Sequence, residues 1–189
     1  MSIDPPLPAP ADDKDWTWVL QRPCPDCGFD ASALAGPDIG RQIRAAAQQW
    51  QQVLAGPNVR RRPASTVWSA AEYASHCRDV CSIFGDRLEL MLEQDDPLFP
   101  NWDQDQTAIE KRYWADDPAE TAAGMAATAG AAAASFDAVT DEQWLRTGRR
   151  SNGSVFTVET LGRYFVHDLV HHLWDVRAIG ITPASAARQ

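Results

Sequence analysis

The sequence predicts an all-α protein: a four-helix bundle with an irregular N-terminal segment and a short hairpin before the last helix. Three observations carry that expectation. Apolar residues recur at helical spacing in four long stretches. Proline stands at the borders of those stretches, at positions 37, 57, 97 and 118, where it opens or stops a helix. The chain of 189 residues has the length of one ordinary domain with a sizeable core.

Residues 1–36 read as a proline-rich tail followed by an irregular segment, Trp16 to Asp38, holding Trp16, Trp18 and the pair Cys24 and Cys27, packed on the bundle. The bundle spans 37–180, and 181–189 form a C-terminal tail. The first helix is expected over Pro37 to Ala55, with Ile39, Ile43, Ala46, Trp50, Val53 and Leu54 on one stripe. A second starts near Trp68, with Thr66 or Ser69 as its cap, and stops at Asp95-Asp96-Pro97. Asp103 to Trp114 reads as a short helix. Pro118 to Val139 is rich in alanine, which suits close helix approach, while Met125, Phe136 and Val139 supply packing. Ser151-Asn152-Gly153 signals a turn between two short extended pieces, and the last helix covers Thr157 to Ile179.

Seventeen basic against 26 acidic side chains leave a net charge of -9, which disfavours nucleic acid and anionic membrane surfaces as partners. The basic run Arg60 to Arg62 reads as a solvated loop. With no secretory signal and no long apolar run, the expected location is the cytoplasm, where thiols stay reduced.

All four histidines fall in two places: His76 on the second helix, and His167, His171 and His172 on the last. His167 and His171 lie about 40° apart around the axis and about 6 Å along it, a spacing at which two imidazoles can share an ion. His172 projects about 100° away, beside Phe165 and Leu161, and is the poorer ligand. His76 interrupts a mainly apolar sector shared with Tyr73, Val80 and Ile83, and a buried imidazole needs a partner. The expected metal ligands are therefore His76, His167 and His171. Tyr73 and Tyr164 share the histidine sectors. Asp168, ahead of Asp79 and Asp175, is the expected acceptor for a distal imidazole proton.

Trp68-Ser69-Ala70-Ala71-Glu72-Tyr73-Ala74-Ser75-His76 resembles the tryptophan-led second helix of the DinB-like superfamily, which ends in its first metal ligand. Tyr164-Phe165-Val166-His167-Asp168-Leu169-Val170-His171-His172 resembles its final-helix motif, with two ligands four apart. The likeness runs from about 37 to 180 and includes the mycothiol-dependent maleylpyruvate isomerases and related thiol transferases. In those isomerases one last-helix ligand is commonly glutamate, where this chain has His167. The resemblance implies a four-helix bundle and a divalent metal activating a small cellular thiol, such as mycothiol or bacillithiol, as cosubstrate.

Three protein ligands on zinc leave a position open for a thiol or water, so thiol S-transfer and hydrolysis are both accessible chemically. Zinc is the first choice of ion, with nickel, iron and manganese compatible with imidazole. The expected partner is a small-molecule substrate, and a homodimer through an exposed bundle face is compatible with the sequence. The other class is a noncatalytic metal-binding or thiol-responsive protein.

Cys77 and Cys81 are also four apart, on a face of the second helix rotated about 100° from His76. If the N-terminal segment folds over that face, Cys24, Cys27, Cys77 and Cys81 would make a second, structural zinc site. A CxxC redox switch and inert buried thiols are the competing readings.

Overall fold

The computed structural model describes residues 6–10, 14–178 and 180; the expected C-terminal tail, Ile179 at the expected end of the last helix, and positions 1–5 and 11–13 lie outside them. Helix α1 (Ile39–Leu54) follows a 3-10 turn at Gly36–Asp38 that contains Pro37, and buries Ile39, Ile43, Ala46, Trp50 and Val53. Helix α2 (Ala70–Glu93) opens on a capping box in which Ser69 accepts from the Glu72 amide while Glu72 accepts from the Ser69 amide. The Arg62 side chain pairs with that same Glu72. Arg62 is therefore not the solvated cation expected of the loop: a buried carboxylate needs a counter-charge, and Arg62 is the nearest supplier.

Strand β1 (Leu98–Phe99) precedes the short α3 (Gln104–Glu110), capped by Asp103. Helix α4 (Pro118–Asp137) is capped by Asp117, with Pro118 in its first turn, and buries Met125, Ala129, Ala132, Ala133 and Phe136. The turn at 151–154, with Gly153 at φ +99°, joins β2 (Thr147–Arg150) to β3 (Val155–Thr157), and α5 (Val158–Ala178) follows directly.

Helices α4 and α5 each pack on both α1 and α2, which places α4 diagonally opposite α5 in the bundle. The alanine-rich face of α4 lets α1 come close: a Cβ on Gly40 would fall 2.8 Å from the Ala133 carbonyl oxygen. On the other side, Phe84 of α2 stacks on Phe165 of α5 at 5.1 Å. The three buried rings Phe84, Phe136 and Phe165 form the centre of the core.

The hairpin expected from Ser151-Asn152-Gly153 is present, with Gly148 opposite Phe156. Its first strand also pairs in parallel with β1, an element the sequence did not reveal because two residues carry no periodicity. This small sheet has a positional role. Arg146 donates to the Met91 and Gln94 carbonyls at the end of α2, and the chain leaving β1 brings Trp102 over α2.

Residues 17–38 form three 3-10 turns that pack on α5, not on the Cys77 face of α2. Two polar contacts anchor this segment: Arg163 Nε donates to the Leu34 carbonyl at 2.7 Å, and the Gly36 amide donates to Glu159 at 3.2 Å. Among the described residues, no helix is long and apolar enough to cross a membrane.

Candidate metal centres

The last helix carries two ligand pairs at the same spacing, His167 with His171 and Asp168 with His172, set about 100° apart around its axis. The structure sends them to different neighbours. His76 stands with Asp168 and His172, while His167 and His171 stand with Cys24 and Cys27; in each group the ligand atoms lie within 4.8 Å of one another. The expected trio of His76, His167 and His171 is not brought together among the described residues. Helix α5 is rotated so that its 168/172 face meets α2 and its 167/171 face meets the N-terminal segment.

In the first group Asp168 Oδ1 lies 3.5 Å from His76 Nε2 and 3.6 Å from His172 Nε2. These gaps are too long for sound hydrogen bonds, and Asp168 Oδ1 and both ring nitrogens of His76 are buried with no hydrogen-bond partner. Leaving such groups unsatisfied costs about 1–3 kcal/mol each, and more for a carboxylate. Ligand bonds of about 2.1 Å at tetrahedral angles separate two donor atoms by about 3.4 Å, so the observed gaps fit donors facing one ion.

The second face of His172 agrees with that role. Its Nδ1 lies 2.8 Å from Asp175 Oδ2, which fixes the proton on Nδ1 and leaves the Nε2 lone pair facing Asp168 and His76. Asp175 is thus the carboxylate that accepts the hydrogen bond from a distal imidazole N–H. Asp168, expected in that position, faces the same point as the two imidazoles. It also supplies a carboxylate one residue beyond the place where the resembling isomerases carry glutamate. Asp79 belongs elsewhere, accepting from Lys111, Tyr113 and Arg78 and so holding α3 and the following turn against α2.

Burial holds the His76 imidazole below its ordinary range, so it is neutral and able to donate a lone pair. Burial alone would raise Asp168, but its contact with His76 and, next, the electrostatic influence of the neighbouring imidazoles outweigh that and hold the carboxyl below the usual range. Trp102 stacks on His76 at 5.2 Å with a 10° interplanar angle, and Tyr73 lies 5.2 Å from His172. These rings limit water access. Tyr164, expected beside the histidines, packs instead on Phe84 and Phe156. Trp68 is 5.6 Å from His76 and also lines a mainly apolar cavity of about 300 Å³ with Leu7, Pro8, Ile109 and Trp114. That volume is at the small end of ligand sites.

In the second group Cys24 Sγ lies 3.6 Å from His171 Nδ1. Burial and, next, repulsion from His171 push His167 down to about 4. Burial lowers His171 as well and raises Cys27 to about 11. Cys77 and Cys81, expected to complete a four-sulfur site, are buried in the helical core and belong to neither group of donors. Burial pushes Cys81 up to about 12 and Cys77 well above the ordinary thiol range, which makes them poor nucleophiles.

The missed partnerships had a readable trace. Asp168 and His172 have the same four-residue spacing as His167 and His171, and carboxylate is an ordinary ligand for imidazole-bound metals. CxxC with HxxxH is likewise a donor set of known type. Periodicity alone does not say which face of α5 meets α2.

A family model described as the DinB superfamily matches residues 41–176. No curated protein matches the chain significantly. Among solved structures, YfiT from Bacillus subtilis superposes with a TM-score of 0.65 at 19% identity, over 79% of this chain and 85% of that one. YfiT is described as a probable metal-dependent hydrolase with an unusual four-helix bundle topology, and the likeness shows a shared fold.

Proposed function

Because this chain belongs to the DinB superfamily, we propose that it is a metal-dependent enzyme whose ion is held by His76, Asp168 and His172. The leading reaction is transfer to a small cellular thiol, of the mycothiol or bacillithiol kind, from an electrophilic small molecule. The observation that carries this reading is the set of unsatisfied donor atoms, with Asp168 Oδ1 placed 3.5 and 3.6 Å from two imidazole nitrogens.

A divalent ion with three protein ligands supplies a Lewis acid with an open position, lowering the pKa of a bound thiol, or of water to about 7. The chain does the rest. Asp175 keeps His172 in the ligating tautomer and fixes its ring. Asp168 contributes the anionic donor, which offsets part of the cation's charge in a site where burial magnifies every interaction. Trp102 and Tyr73 wall the histidines, and the cavity sharing Trp68 gives an apolar substrate a place beside the centre. Zinc fits this donor set, and nickel, iron or manganese are compatible with it. A reducing cytoplasm, where small thiols stay reduced, is the compartment this reading requires.

Hydrolysis is the second reading, favoured by the printed description of YfiT. Zinc-loaded protein incubated with each thiol and an electrophilic aryl chloride, and separately with an activated ester, distinguishes the two by mass spectrometry of the products. A thiol adduct that forms with wild type and disappears in His76→Ala and Asp168→Ala supports S-transfer. Ester cleavage with the same dependence supports the hydrolase. Equal rates with and without metal contradict both.

A further inference from the structure

The 167/171 face of α5 is not used by the proposed reaction, and its donors are of a different kind. Cys24 and Cys27 sit in a closed backbone turn: the Gly28 amide donates to the Cys24 carbonyl at 2.9 Å, and the Cys24 amide to the Phe29 carbonyl at 3.0 Å. Gly28 has φ +73°, a conformation costly for other residues, and it turns the chain back so that both sulfurs serve one point. Opposite them, successive turns of α5 present His167 and His171, with ring centroids 5.2 Å apart.

The contact across this gap joins residues 147 positions apart, Cys24 Sγ to His171 Nδ1 at 3.6 Å. Zinc bonds of about 2.3 Å to sulfur and about 2.05 Å to nitrogen give a tetrahedral edge of about 3.6 Å. Cys24 is 1% exposed, His167 4% and His171 8%, and His167 Nε2 is buried without a hydrogen-bond partner. Trp16 closes the outside, with its ring 4.9 Å from His171 and 5.9 Å from His167. Two thiolates and two imidazoles complete a tetrahedron with no position left for a substrate, which is the structural type of zinc site.

We infer that Cys24, Cys27, His167 and His171 form a second, structural zinc site that staples the N-terminal segment to the last helix. Binding displaces the two thiol protons to solvent and forms two zinc–sulfur and two zinc–nitrogen bonds, with no redox change. The segment needs such a staple, because three short 3-10 turns with Val19, Ala31 and Leu34 as their buried apolar residues bury little surface of their own. The site also pins the turns of α5 that carry the other centre, since His167 adjoins Asp168 and His171 adjoins His172.

Full-length protein freed of metal and reloaded with cobalt(II) alone tests this assignment. Wild type should show the intense thiolate-to-cobalt charge-transfer absorption; Cys24→Ser and Cys27→Ser should lose it together with one equivalent of metal. His76→Ala should keep the band while losing the other equivalent, so failure here and failure of the proposed reaction read out separately. Should the cysteine variants not fold, wild type still decides: zinc should slow alkylation of Cys24 and Cys27 at least tenfold. Absence of the band in wild type, its persistence in Cys24→Ser, or equal alkylation with and without zinc would overturn the inference.

Discussion

Two faces of one helix carry the same geometry and different chemistry. On one, Asp168 and His172 meet His76 of α2, giving a three-donor set with a carboxylate. On the other, His167 and His171 meet Cys24 and Cys27, giving four soft or borderline donors that close around a point. The first set suits an ion that keeps a position for substrate, the second an ion that does none of the chemistry. An imidazole pair four apart therefore says little until the partners opposite it are known.

That contrast can be broken in graded ways. The largest effect is expected from His76→Ala: metal affinity at the Asp168/His172 face should fall by more than the roughly 100-fold upper range seen for outer carboxylates, while the zinc at the cysteine face stays. Elemental analysis would count one ion instead of two. Asp175→Asn should weaken the first centre by roughly 10–100-fold through loss of its bond to His172, measured by competition with a chelator. It should spare the second, because Asp175 lies 3.9 Å from His171, beyond hydrogen-bond reach.

Smaller still, Asp79→Asn should cost roughly 1.5–3 kcal/mol of stability at pH 7 and leave both metal counts intact. Burial would raise this carboxyl, but bonds from Lys111, Tyr113 and Arg78 hold it below the usual range. A lowered pKa contributes stability that is present above the unfolded value near 4 and is lost as pH falls through the folded one. The gap between wild type and Asp79→Asn in urea melts should therefore shrink below about pH 4. Least of all, Cys77→Ala and Cys81→Ala should leave the metal count unchanged, since both thiols lie in the helical core.

The helices were legible because their stripes and stops are local. Ser69 with Glu72, Pro118 and the turn at Gly153 act within a few residues of themselves. The DinB-like motifs were legible for the same reason. The pairing of β1 with β2 was not, because Leu98 and Phe99 have no pattern to read. Nor was the choice between the two faces of α5. Selecting His167 and His171 as partners of His76 required the rotation of α5 against α2, which depends on contacts such as Phe84 with Phe165. Likewise CxxC announced a site, but its partners follow from Val19 and Leu34 burying on α5 and from Arg163 holding the Leu34 carbonyl.

A crystal structure of the metal-loaded full chain, with anomalous maps at the zinc edge, tests the two-faced helix most directly. Two peaks are predicted, one among His76, Asp168 and His172 and the other among Cys24, Cys27, His167 and His171. A single ion joining His76 to His167 and His171 would contradict it.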